Sequence, residues 1–163
     1  MSTMEKSLKL NSPRIGVAGE LRIRSELILH GFTPAICDFD DGVDIILADN
    51  GNRIQVKTST RPWYDSKNYS YRYSFAIRAP QFRNIGDNTF KKKFTKKNYN
   101  DVADYFVFWC IEHNIFYIIP VGEIGEKVSF CIPTPTEDRT YRINERTSKS
   151  KYEKYKDAWH LLA

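Results

Sequence analysis

Cysteine is scarce in this chain, and its placement excludes two kinds of scaffold. The three residues, Cys37, Cys110 and Cys131, form no CxxC pair or other metal-ligand spacing, and an odd number does not complete a secreted disulfide framework. A reducing cytoplasm is the expected compartment. Long apolar runs are missing too. Segments such as Tyr105 to Ile111 fall far short of the roughly 20 residues of a membrane-spanning helix, and the N-terminal MSTMEKSLKL lacks a signal-peptide core. The expectation is a soluble protein with no membrane partner. Histidine is also rare, and His30 at a helix end and His113 in a turn have no partners at zinc-ligand spacing, so neither is assigned a metal or catalytic role. There is no Gly-rich phosphate loop, no nucleophile-elbow serine and no internal repeat.

What is present suits one domain. A chain of 163 residues can bury a sufficient core without staples, and the whole of 1–163 is read as a single unit with a loose tail over 1–11. The net charge of +5 is modest but uneven. FKKKFTKKN occupies residues 90–98, and a second basic stretch runs from Arg139 to Lys156. Such patches attract polyanions, although charge runs alone are more often solvated loops or tails.

Ser12-Pro13 reads as a helix start and Gly31 as its stop, giving a helix over about 13 to 30. At 100° per residue Val17, Leu21 and Ile28 share a stripe expected to face the core, with Arg24 as a misfit inside it. Glu20 falls about 70° from the stripe's centre, at the border with solvent, whereas Glu26 points away. Gly16 and Gly19 weaken the helix by about 1 kcal/mol each relative to alanine, which implies close packing against its backbone. A strand is expected near Phe32 to Cys37, an irregular stretch around Arg61-Pro62-Trp63, and a strand through YSYRYSFAIRA. That strand puts Tyr69, Tyr71, Tyr73, Phe75 and Ile77 on one face and Arg72 and Arg78 on the other. Pro80 to Asn100 reads as a long surface loop or weak helix. DYFVFWCI and IFYIIPV form a second hairpin across Glu112-His113-Asn114, and VSFCIP adds an edge strand. Tyr152, Tyr155, Trp159 and Leu162 recur at spacings of three, four and three, which predicts an amphipathic C-terminal helix within 145–163.

The stretch GVDIILADNGNRIQVKTST, residues 42 to 60, places Asn50-Gly51 between two apolar runs, a strong hairpin signal. With Asn50-Gly51 as a two-residue loop, Leu47 pairs with Ile54, Ile46 with Gln55 and Asp44 with Lys57. Asp44, Gln55 and Lys57 then share one face, and Ile45, Leu47, Ile54 and Val56 the other. Alternation by itself is what the solvated face of an antiparallel hairpin ordinarily shows. The chemical alternative is a site for a hard divalent cation. Asp44, the Gln55 side-chain carbonyl and the Val56 backbone carbonyl can supply oxygen ligands, with Glu20 binding directly or through water, and Lys57 can orient an attacking water and stabilise charge at phosphorus.

A helix carrying Gly19-Glu20, then Gly42-Val43-Asp44, then IQVKTS at residues 54–59 resembles the PD-(D/E)XK nuclease superfamily, in particular the branch of Holliday-junction resolvases and homing endonucleases. The resemblance spans about residues 13–125. It implies a mixed α/β, restriction-endonuclease-like α-β-β-β-α-β core, and a metal site made by Glu20, Asp44, position 55 and Lys57. Two departures stand out. Gln55 occupies the place of an acidic residue, which removes one negative charge, and Val43 stands in the place of the motif's proline. The implied activity is Mg²⁺-dependent hydrolysis of DNA phosphodiesters, with Mn²⁺ as a substitute. Arg24, Arg72, Arg78, Lys91, Lys92, Lys93, Lys96 and Lys97 are the expected DNA contacts, the lysines on phosphates. The alternative is a nuclease-like fold that binds nucleic acid without cutting it. Cutting two strands needs two sites, so a homodimer or dimer of dimers is expected, with the C-terminal aromatic helix or the later strand edges as interface.

Overall fold

The computed structural model describes residues 12–37, 42–67, 70–77, 80–84, 90–94, 101–125, 127–135 and 150–163, with the backbone alone at 80–84 and 90–94. Helix α1 spans Ser12–Leu29 and is followed by β1 (Pro34–Ile36), β2 (Ile45–Leu47), β3 (Arg53–Ser59), β4 (Trp63–Asp65), β5 (Ser70–Ala76), β6 (Pro80–Asn84) and β7 (Phe90–Phe94). Then come β8 (Tyr105–Cys110), β9 (Ile115–Pro120), the one-turn helix α2 (Val121–Ile124) and β10 (Ser129–Pro133). A five-stranded sheet in the order β1-β2-β3-β8-β9 forms the centre, a three-stranded sheet β10-β5-β4 covers part of it, and β6-β7 stand as a pair. The central sheet is mixed, because β3 and β8 are parallel whereas the other neighbours are antiparallel. The fold is thus α/β, with helix α1 on one face. Among the described residues the crossover between β3 and β8 is made of strands, where an α-β-β-β-α-β core would place a helix. Among them, too, no helix is long and apolar enough to cross a membrane.

Strand alternation divides the apolar residues into two cores. Ile45, Leu47, Ile54, Val56, Val107 and Ile118 pack under α1 with its Ile23 and Leu27. Phe106, Phe108, Cys110, Tyr117 and Ile119 point the other way, against Tyr73 and Phe75 of β5 and Phe130 and Ile132 of β10. Burial pushes the Cys110 thiol pKa up, so it behaves as a small apolar core residue.

The C-terminal aromatics belong to this chain's own interior. Among the described residues they lie on or just before two 3-10 turns, Glu153–Tyr155 and Trp159–Leu162, and no amphipathic α-helix forms there. Tyr152 and Tyr155 enter one core while Trp159 and Leu162 enter the other. A single straight helix cannot reach both faces of a sheet. The segment instead wraps the free edge of β9: Lys156 bridges Tyr117, and the Asp157 amide donates to the Phe116 carbonyl at 2.8 Å. Tyr152, Tyr155 and Trp159 therefore do not form an outward helical interface.

Helix α1 ends as expected, with Gly31 at φ 86°, the Phe32 amide donating to Leu27 O and the Gly31 amide to Ile28 O, the two bonds of a Schellman stop. Its orientation is a correction. Val17, Leu21 and Ile28 are 56%, 58% and 59% exposed, and the buried stripe is Gly19, Ile23 and Leu27. Glu20 still lies at the border, roughly 60–70° from this true stripe. Glu26, expected to point away, is half-buried on the opposite flank and is paired with Arg22 at 2.6 Å. Arg22 lies 5.8 Å from the Trp109 ring centre and 5.7 Å from that of Phe116, so its flank faces β8 and β9. Glu20, on the other flank, faces the β2–β3 side.

Of the two helix glycines only Gly19 is there for close approach. A Cβ at Gly19 would stand 1.9 Å from Thr58 Oγ1 of β3, whereas one at Gly16 would meet nothing within 4 Å. Gly19→Ala is expected to destabilise the fold by about 1–3 kcal/mol despite the better helix propensity of alanine. Gly16→Ala should stabilise it by up to about 1 kcal/mol. Paired thermal melts check both signs, and equal shifts for the two variants would contradict this packing.

Two further stretches differ from the sequence expectation. Trp63–Asp65 is a short strand pairing with β5, and within Pro80 to Asn100 the described residues form β6 and β7. β4 is only three residues long and β6 and β7, which pair with each other, are five each, so local periodicity is too brief to mark them.

Candidate active site

The hairpin that carries the site is closed differently from the two-residue expectation. Ile45 pairs with Ile54 and Ile46 with Arg53, and the Leu47 amide donates to Asn52 O at 2.9 Å, so Ala48 to Gly51 form the loop. A type I′ loop needs positive φ at both central residues, but only Gly51 has it, at 80°. Tertiary bonds hold the wider loop. Asp49 accepts from the Thr33 amide at 2.6 Å and from its hydroxyl at 2.8 Å, which lowers the Asp49 pKa, the backbone bond first. Asn50 and Asn52 donate to Leu162 O. The register moves by two residues, so each side chain keeps its face, but the residue opposite Asp44 becomes Gln55 instead of Lys57.

That shift makes the central contact of the site. Asp44 Oδ2 accepts from Gln55 Nε2 at 2.6 Å and from the Val56 amide at 2.6 Å, while the Asp44 amide donates to Ile54 O. Gln55 is one of two buried polar or charged residues among those described, at 7% exposure, and is not the solvated amide of an open hairpin face. Lys57 follows on the same face, about 7 Å along the strand, and is half-buried. β2 begins only at Ile45, so beyond Ile54 this edge of β3 has no strand partner among the described residues. Residues 54 and 56 turn their backbone groups to that edge, which places the Val56 carbonyl beside the Asp44 side. Glu20 stands in the helix layer, one residue after Gly19, whose backbone abuts Thr58, on the face of β3 that carries Ile54 and Val56, whereas Gln55 and Lys57 alternate to the other face.

The parallel register of β3 and β8 is fixed just upstream. Asp104 accepts from the Arg53 amide at 2.8 Å, Nε at 3.1 Å and Nη2 at 2.9 Å. The Arg53 side-chain bonds, first among the causes, lower the Asp104 pKa and raise that of Arg53. The stability this pair contributes is present above the ordinary aspartate value of 3.8 and is lost as the pH falls through the lowered one.

Glu20, Asp44, Gln55 and Val56 offer only oxygen donors to a cation, counting the Gln55 carbonyl after half a turn of its amide. This is the chemistry Mg²⁺ takes, and on donor type the set fits. Its charge is low, and among the described residues no group of three or more His, Cys, Asp or Glu gathers as a metal cluster. The expected DNA contacts scatter. Arg24 is half-buried on α1, and its buried Nε has no hydrogen-bond partner among the described residues. Arg72 donates to Ser70 at 3.0 Å and lies 3.5 Å from Asp65. Lys91, Lys92 and Lys93 are on β7, and Arg78, Lys96 and Lys97 fall outside the described residues. The sequence reading overlooked Thr58, whose buried hydroxyl meets Gly19; the only local signal was its alternation with Val56. It also missed the Tyr73 hydroxyl bonded to His113 Nδ1.

With this geometry in view, comparisons place the chain. A family model described as PD-(D/E)XK endonuclease matches residues 10–153. The solved structure of a bacterial homing endonuclease, I-Ssp6803I, is similar at a TM-score of 0.62 and 18% identity, covering 94% of this chain and 93% of that one. At that identity the likeness shows the fold, which is restriction-endonuclease-like. No curated protein matches the chain.

Proposed function

Because the chain belongs to the PD-(D/E)XK endonuclease family, we propose that it is a divalent-metal-dependent endonuclease that hydrolyses DNA phosphodiester bonds. The observation that carries this reading is the Asp44 carboxylate held by Gln55 and the Val56 amide at the β2-side edge of β3, with Lys57 on the same face as Gln55. In it, Asp44, Glu20, the Gln55 carbonyl and the Val56 carbonyl would hold Mg²⁺ or Mn²⁺, which would supply positive charge to the phosphate. Lys57 orients the attacking water and donates to the non-bridging oxygens as water adds to phosphorus and one P–O ester bond breaks. The Val56 amide fixes the direction of the Asp44 carboxylate before substrate arrives.

Incubation with supercoiled plasmid, linear duplex, four-way junction and single-stranded DNA tests the reading. Cleavage should require Mg²⁺ or Mn²⁺ and stop with EDTA; cleavage indifferent to EDTA would overturn the metal assignment. Duplex affinity should fall with salt at a slope near −0.9 per neutralised phosphate. Two strands need two sites, so a homodimer or dimer of dimers is proposed, and light scattering should give at least twice the 19.1 kDa chain mass.

One observation favours a second reading, a nucleic-acid-binding protein that does not cut. The Gln55 amide donates into Asp44, so the pair satisfies itself without an ion. Tight duplex binding with no product in Mg²⁺ or Mn²⁺, and no metal uptake in calorimetry, would select it.

A further inference from the structure

β6 and β7 form a sheet of their own, sharing no backbone pairing with the other two sheets among the described residues. Their register pairs Gln81 with Lys93, Phe82 with Lys92, Arg83 with Lys91, Pro80 with Phe94 and Asn84 with Phe90. Directly paired residues share a face and successive residues alternate. Gln81, Arg83, Lys91 and Lys93 therefore occupy one face, and Pro80, Phe82, Phe90 and Phe94 share the other with Asn84 and Lys92. A lysine run that is uniform in sequence is thus divided between two faces of different chemistry.

The polar face is poorly composed for its own stability. Arg83 and Lys91 sit directly opposite, a like-charge cross-strand pair that weakens a ribbon, and neither strand contains a carboxylate. A polyanion relieves that repulsion. The residue types also go beyond what phosphate binding asks for: arginine and lysine pair with guanine O6 and N7, and glutamine with adenine N6 and N7. A two-stranded ribbon with strands about 4.8 Å apart fits the roughly 12 Å major groove of B-form DNA, while the deep, narrow major groove of duplex RNA excludes it.

Resting on the DNA endonuclease reading, we infer that the β6–β7 ribbon is the base-reading element: its face of Gln81, Arg83, Lys91 and Lys93 enters the major groove of duplex DNA and sets sequence preference. Lys92, on the other face, takes no part in base reading.

The test is selection of bound duplexes from a randomised pool by the full chain carrying Lys57→Ala, so that cleavage does not deplete the pool, with ribbon changes added. The parent should select a consensus. Gln81→Ala and Arg83→Ala should each erase discrimination at one or two adjacent base pairs, by roughly 5- to 150-fold per contact, with little change in affinity for unrelated duplex. Lys92→Ala should keep the consensus. Uniform weakening with the consensus intact would make these residues phosphate clamps and overturn the inference, as would a parent that selects no consensus. If wild type cuts plasmid in Mg²⁺ while its preference survives the ribbon changes, only this inference is lost. A chain that neither binds nor cuts DNA loses the endonuclease reading as well.

Discussion

Asp44→Ala and Lys57→Ala are each expected to reduce Mg²⁺-dependent plasmid cleavage by about 10²- to 10⁴-fold, the range for removing a positioned proton-transfer or charge-stabilising group. The two variants should differ in stability. Asp44 Oδ2 receives the Val56 amide and the buried Gln55 side chain, so alanine leaves two donors without their acceptor, at about 1–3 kcal/mol for each that stays buried. Asp44→Asn keeps the shape and an acceptor oxygen but loses the charge, so it should lose activity with a smaller drop in melting temperature. Lys57 is half-buried at the border of a core formed by other residues, and its truncation leaves the Asp44 bonds in place, so it should lower the melt less than Asp44→Ala. Single-turnover cleavage with parallel thermal melts separates chemistry from folding. Cleavage that survived both alanine changes would refute the site.

Gln55→Glu is expected to make folding depend on metal. The substitution replaces a donor 2.6 Å from Asp44 Oδ2 with a second carboxylate. Two like charges about 4 Å apart at an effective dielectric near 20 repel by about 4 kcal/mol, an upper figure because the pair can take up a proton instead. In EDTA the variant should melt well below wild type, and increasingly so as the pH rises, since the shared proton is then lost. Mg²⁺ or Mn²⁺ should restore it, because a ligand that binds only the folded state stabilises that state. Wild type, whose amide already satisfies Asp44, should shift little. Calorimetry with and without metal reads the difference directly. A variant as stable in EDTA as wild type would mean that Gln55 and Asp44 do not jointly face an ion. Cleavage gained by the variant over an inert wild type would instead select the non-cutting reading.

The sequence by itself determined the features that depend on neighbours along the chain. Gly31 ends α1 because stops act within a few residues, and the strands β8 and β9 are legible in DYFVFWCI and IFYIIPV because long β-rich runs are self-evident. Alternation put Asp44, Gln55 and Lys57 on one face of the hairpin, and the period-two geometry preserved that face when the register moved by two. Tertiary structure decided what chain-local rules leave degenerate. Apolar residues surround α1, and the approach of Gly19 to Thr58 turned Ile23 and Leu27 inward while leaving Val17, Leu21 and Ile28 outside. The spacing of Tyr152, Tyr155, Trp159 and Leu162 fits a helix, but the free edge of β9 and a core on each side of it draw the segment into a wrap. Bonds from Asp49 to Thr33 and from Asn50 and Asn52 to Leu162 widened the loop and brought Gln55 opposite Asp44. Each of these outcomes depends on a partner far away in sequence, whose backbone groups or cavity must be filled, and periodicity along a single segment carries no information about that partner.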